Sequence, residues 1–245
     1  MEAIRTENLV KKYKDKTAVK GLDLTVHQGE LYALLGVNGA GKSTTIKMLS
    51  CLTQPTSGDA FVMGHSVVKE ADQVKAIMNV SPQETAVAAK LSVRENLEFI
   101  ARIYGCDKKQ AREKTDQILE EFSMQEIEKS RAATLSGGWQ RRLSIAMALI
   151  TQPQVLFLDE PTLGLDVLAR RELWSVIEKL KGKMTIILTT HYLEEAESLS
   201  DRIGIMAKGV LCAEGTAAEL KAKAGCDDFE EAFIKLAEEV NSNIR

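Results

Sequence analysis

The chain has 245 residues, 44% hydrophobic and 27% charged, which excludes a disordered polymer and fits one or two domains at roughly 150 residues each. Lysine and arginine total 32 against 35 aspartate and glutamate, a net charge of −3 that gives no basic face for wrapping nucleic acid. The longest apolar run, Ile145 to Ile150, is six residues, far short of the roughly 20 that span a bilayer; the first 25 residues, with Glu2, Glu7, Asp15 and Asp23, are not expected to form a secretory leader.

In chain order, the N-terminal third reads as short strands. Leu24 and Val26 alternate with polar neighbours before a turn at Gly29, and Leu31–Leu35 is a continuous apolar run of the buried-strand kind. After the turn residues Pro55, Thr56 and Ser57, Gly58–Val68 is another β stretch. From there the period changes. Val93, Leu97, Ile100, Ala101 and Tyr104 recur at helical spacing up to the stop at Gly105, and Ala111–Phe122 and Gly137–Ile150 are further helices. Residues 84–149 are therefore expected to form a helical lobe inserted into a sheet. Beyond Pro153, the strands Val155–Leu158 and Thr185–Thr189 alternate with helices over Val167–Leu180 and Tyr192–Leu199, a pattern of largely parallel sheet with helices on its faces. Phe229, Ala232, Phe233, Leu236, Ala237 and Val240 stripe a last helix. Its other face holds Glu230, Glu231, Glu238 and Glu239, so the stripe is expected to pack on the body rather than on an anionic membrane.

Other residues read as ordinary. Cys51, Cys106, Cys212 and Cys226 lie far apart with no CxxC pair, as reduced structural thiols do. His27 and His65 match no motif and are expected to be solvated, and Glu194, Glu195 and Glu197 read as an exposed helical face.

Chemistry concentrates first in Gly36-Val37-Asn38-Gly39-Ala40-Gly41-Lys42-Ser43-Thr44, a phosphate-binding loop pattern set between an expected strand and an expected helix. Glycines 36, 39 and 41 let the backbone curl so that successive N–H groups face phosphate oxygens, and the helix start adds its positive end. Lys42 supplies a charge between the β- and γ-phosphates, and the Ser43 hydroxyl suits magnesium. The buried strand Val155–Leu158 runs into Asp159 and Glu160, which places two carboxylates at the C-terminal edge of a parallel sheet. Asp159 suits the magnesium shell, and Glu160 the activation of the attacking water.

Leu135-Ser136-Gly137-Gly138, 24 residues before Asp159, resembles the signature of the ATP-binding cassette (ABC) nucleotide-binding domain, and the likeness runs from about residue 3 to 220. It implies an α/β P-loop NTPase fold: a mixed, largely parallel core sheet, an N-terminal antiparallel β subdomain and an inserted helical subdomain. The whole chain, 1–245, is then one cassette, with 1–83 and 150–220 as catalytic core, 84–149 as the helical signature subdomain and 221–245 as a helical tail. Tyr13 resembles the aromatic that stacks on adenine, with an edge-strand tyrosine as the plain alternative. Gln83 resembles the glutamine that contacts magnesium and water, against a simple turn residue. Leu163-Gly164-Leu165-Asp166 resembles the loop that crosses between paired cassettes. His191 resembles the switch histidine that reaches the γ-phosphate, against a helix cap, and no partner for it lies nearby in the sequence. Ser136, Gly137 and Gly138 begin a helix, a second anion site that the family lends to a partner cassette's ATP. Trp139 departs from the glutamine common there.

The resemblance implies an ATP-hydrolysing subunit with ATP and Mg2+ as cofactors. Its partners would be an integral membrane subunit and a second cassette, and it would work on the cytoplasmic face of the membrane. The stretch Thr190–Glu197 looks like bacterial drug-resistance and sodium exporters. Gln83 stands where lantibiotic-immunity relatives tend to carry Glu, and residues 131–134 lack the acidic loop of fused multidrug exporters. A soluble ATPase of ribosomes or chromosomes is the alternative, disfavoured by the single cassette and the short stretch from Gln83 to Leu135; an uptake subunit also stays open. The small apolar stretch Ala86-Val87-Ala88-Ala89, near the groove over Gln83–Leu91, is expected to dock a short helix of the membrane subunit, with lobe packing as its plain alternative.

Overall fold

The computed structural model describes residues 1–243, with side chains to residue 238. Two sheets organise the chain. The first is antiparallel, ordered β2-β1-β4-β5, from β1 (Glu2–Tyr13), β2 (Lys16–His27), β4 (Ser57–Val62) and β5 (His65–Ser66). The expected short strands at the N terminus are in fact two strands of 12 residues each. Their alternation is broken in sequence because the pairing slips around Leu9, where Asn8 (φ 45°) and Gly21 (φ 74°) take left-handed backbone. The Gly58–Val68 stretch is likewise two strands, turned at Met63 and Gly64.

The second sheet has six strands. It runs β10 (Val210–Gly215), β9 (Arg202–Ala207), β3 (Leu31–Leu35), β8 (Thr185–Thr190), β7 (Val155–Asp159), β6 (Met78–Ser81), parallel throughout except for β10 against β9. Strands buried on both faces read as unbroken apolar runs, and β7 divides its side chains accordingly. Leu156 and Leu158 join the core with the helical lobe, whereas Val155 and Phe157 join the core with the antiparallel sheet. Within β9, Gly204 lies so close to the Tyr32 hydroxyl that a Cβ would collide with it.

Helices cover both faces. Residues 84–149 add no strand to either sheet among the described residues. They carry α3 (Val93–Ile103), α4 (Lys108–Glu121) and α5 (Gly137–Leu149). The remaining helices are α1 (Lys42–Leu49), α2 (Ala71–Ile77), α6 (Val167–Glu178), α7 (Leu193–Leu199), α8 (Ala217–Ala224) and α9 (Phe229–Asn243). α4 starts ahead of Ala111 because Asp107 and Gln110 close a capping box. α8 crosses residue 221, where the tail is expected to begin. Phe229 and Leu236 are buried against Ile203, Ile205 and Ala213, and Ala232 is buried too, so the tail packs on the body. The side chains of Glu239 and Val240 lie outside the described residues. No helix among the described residues is long and apolar enough to cross a membrane. The four cysteines are free; His27 is exposed, and His65, half-buried, faces Glu70 at 3.3 Å.

Asn96 holds the lobe's entry. It is fully buried; its Oδ1 accepts from Ala88 N (2.8 Å), and its Nδ2 donates to Ala88 O (3.2 Å) and Ser92 O (2.9 Å). Asn96→Ala strands these backbone groups and is expected to cost about 2 kcal/mol or more. Urea unfolding measures this, and an unchanged midpoint would refute the assignment.

Candidate functional site

The phosphate-binding loop joins β3 to α1 across residues 36–41. Gly36 passes so near the Met206 carbonyl that a Cβ would strike it. Gly41, the residue before α1, has φ 111°, and a Cβ there would sit 2.7 Å from Ala18 O. The loop thus turns directly into a helix N-terminus, whose first N–H groups have no partner within the helix. Lys42, 5% exposed, folds back so that Nζ donates to Gly36 O (2.7 Å) and pairs with Glu160 Oε1 (3.1 Å). Ser43 Oγ donates to Asp159 Oδ1 at 3.0 Å.

The opposite wall comes from the ends of β7 and β8. Asp159 and Thr189 are register partners, and Thr189 Oγ1 donates to Asp159 Oδ1 (2.5 Å). One residue on, Glu160 takes left-handed backbone (φ 49°), its N–H held by Thr189 O and Oγ1, both at 3.1 Å. A non-glycine residue in that region is strained, and the surrounding bonds hold it there. His191 finds its partner through this register: Nδ1 lies 2.6 Å from Glu160 Oε2. No partner for His191 lies nearby in the sequence, and the structure supplies one across the sheet. Its partner is distant in sequence and adjacent in the sheet.

These walls enclose a cavity of about 370 Å³ lined by Tyr13, residues 38–44, Gln83, Glu160 and His191 among others. Tyr13 is 44% exposed, with Lys11 Nζ over its ring at 5.0 Å. Gly36 and Val37 lie at the loop's base and edge, outside the lining, and Asp159 sits behind Ser43. Ser136, Gly137, Gly138 and Asp166 are not brought to this cavity. Ser136 caps α5, Asp166 caps α6 by accepting from Ala169 N (2.9 Å), and Gly138 is tight against Ala169.

A family model for the ABC transporter matches residues 19–163. The daunorubicin resistance ATP-binding protein of Streptomyces coeruleorubidus is 44% identical over 93% of this chain and 72% of its own length. The chain belongs to the ABC transporter family. The linearmycin resistance ATP-binding protein of Bacillus subtilis is 40% identical to this cassette over 91% of the chain and 72% of that protein. A solved ATP-binding subunit of an ABC transporter superposes with a TM-score of 0.84 at 28% identity, covering 96% of this chain and 99% of that one. The cassette is the ATP-binding, ATP-hydrolysing subunit of a transporter. A soluble ATPase of ribosomes or chromosomes is not favoured.

Two residues at the cassette's site escape the sequence reading. Arg141 on α5 is 3% exposed, and its guanidinium donates to Pro82 O (2.5 Å) and Glu160 O (2.7 Å), tying the segment before Gln83 to the main chain of the carboxylate. Glu195 overturns the exposed-face expectation for α7. Glu194 and Glu197 are exposed, but Glu195 is fully buried, with Trp174 Nε1 donating to its Oε1 at 3.0 Å. It lies on the side of α7 that also buries Ala196 and Leu199.

Proposed function

We propose that this cassette binds magnesium-ATP in the cavity of Lys42, Glu160 and His191, closes on a second cassette to hydrolyse it, and so drives export through an integral membrane subunit. One observation carries the reading: the phosphate-loop lysine, the carboxylate after β7 and the histidine after β8 meet through contacts of 3.1 and 2.6 Å beside one cavity. Residues 38–44 cradle the phosphates, Lys42 takes the γ-phosphate charge, and Tyr13 stacks on the adenine. The Ser43 hydroxyl and Asp159 carboxylate are neighbouring oxygen donors of the kind magnesium takes; with Gln83 they hold the ion, which offsets charge on the phosphates. Glu160 accepts the proton of the attacking water, while His191 fixes the orientation of that carboxylate and senses the γ-phosphate.

Residues 1–83 and 150–220 act as the catalytic core, and 84–149 as the lobe that carries Ser136, Gly137 and Gly138 to the partner's ATP. Asp166 lies at the same junction. The partner is an identical or paralogous cassette, and the pair works at the cytoplasmic face of the membrane. The likeness to resistance proteins for daunorubicin and linearmycin supports export of drug-like compounds.

The membrane subunit docks at a groove between the core and the lobe, lined by Pro82, Ala86, Ile100, Tyr104, Ser144 and Met147 among others. Of the small apolar stretch expected there, Val87 packs inward on the core and Ala88 is held by Asn96, leaving Ala86 in the groove. A cysteine placed by Ala86→Cys is expected to cross-link in native membranes to an integral membrane protein. Capture of soluble proteins alone would overturn the assignment.

A further inference from the structure

α7 packs a carboxyl group where a helix of a soluble protein rarely puts one. Glu195 has no exposed surface, and three elements meet around it. Trp174 Nε1, from the α6 helix that Asp166 caps, donates to Oε1 at 3.0 Å. The hydroxyls of Thr190 and Thr162 face the same carboxyl, and both threonines are fully buried. Thr190 immediately precedes His191. Thr162 follows Glu160 by two positions and leads into the 163–166 loop. Glu195 Oε2 and Thr162 Oγ1 are each buried with no hydrogen-bond partner of good geometry.

We propose that Glu195 is a positioning residue for hydrolysis, locking the segment after Glu160, the strand end that carries His191, and helix α6 into one block. This rests on the roles given above to Glu160 and His191. Burial pushes the Glu195 carboxyl above the ordinary carboxylate range, against the pull of Thr190, Thr162 and Trp174, and the charge of Glu160 adds to the rise. Arg141 is the cation facing it. A neutral carboxyl offers one acceptor and one donor. The Trp174 N–H uses one acceptor oxygen, and Oε2 is the oxygen left to face the threonine hydroxyls. Glutamine presents the same pattern without an ionisable group; leucine presents neither half.

The test compares Glu195→Gln, Glu195→Leu and Thr162→Val in the full chain, with Glu160→Gln alongside, by kcat, KM for magnesium-ATP and thermal midpoint. Glu195→Gln is expected to keep kcat near the wild-type value. Glu195→Leu is expected to lower kcat about 10²-fold, the scale of an ångström-sized misplacement, with KM unchanged because Lys42 and Ser43 are untouched. Thr162→Val, which preserves shape, is expected to lower kcat at constant KM, and it decides the matter if the leucine variant does not fold. Wild-type kcat in the leucine or valine variant overturns the proposal. So does a glutamine variant as impaired as the leucine one, or a loss of activity that appears only as a raised KM. If Glu160→Gln also turned over normally, the reading of the site itself would fall; if Glu160→Gln alone stopped, only the role of Glu195 would.

Discussion

Glu160→Gln binds magnesium-ATP but hydrolyses it roughly 10²–10⁴-fold more slowly than the wild type, the usual loss with a general base. Glutamine preserves the shape of the side chain and its reach toward Lys42 and His191, but it has no basic oxygen to accept the proton of water. The backbone demand at this position, φ 49°, is the same for both residues, so the fold is retained. The cavity loses one negative charge and keeps Lys42, which favours the phosphates. With ATP bound and no longer consumed, the closed pair accumulates, and size-exclusion chromatography with magnesium-ATP registers a shift from monomer to dimer. Normal turnover would sink the assignment, as would a trapped dimer produced by Asp159→Asn but not by Glu160→Gln.

Mixing two inactive variants, Lys42→Ala and Ser136→Arg, restores hydrolysis. The basis is geometric: Ser136, Gly137 and Gly138 do not line the cavity that Lys42 serves in the same chain. A chain altered at Ser136 still offers its own Lys42, and a chain altered at Lys42 still offers its own signature. A heterodimer then holds one intact composite site, and a random equimolar mixture regains about a quarter of the wild-type sites. Ser136→Arg loses an N-cap, about 1 kcal/mol, which the buried face of α5 tolerates. A well-mixed sample with no recovery would count against a site shared in trans.

The phosphate-binding loop was legible because its chemistry needs contiguous residues: glycines where a Cβ would strike Met206 or Ala18, then lysine and serine at a helix start. Asp159 and Glu160 were legible for a similar reason, since a buried strand announces itself and its end is where ligands gather. The partnership of Glu160 with His191 was not, because it depends on β7 and β8 lying side by side in register, which no local pattern encodes. Glu195 was hidden by its glutamate neighbours. Its spacing to Ala196 and Leu199 was the available sign of burial, and the run of charges masked it. α8 carried a readable capping box, Thr216 with Glu219, and a left-handed stop at Gly225, whereas α2 and β6 are too short to establish a period.

Arg141 gives α5 a mechanical meaning. Ser144 and Met147, which line the groove proposed for docking, stand about one and two turns beyond Arg141 on the same helix. Its planar fork grips the carbonyls of both Pro82 and Glu160, a two-point hold that a lysine's single ammonium would not reproduce. A helix is stiff over so short a span. A displacement of α5 at Met147 would therefore be felt at the main chain of Glu160 through the guanidinium that joins them.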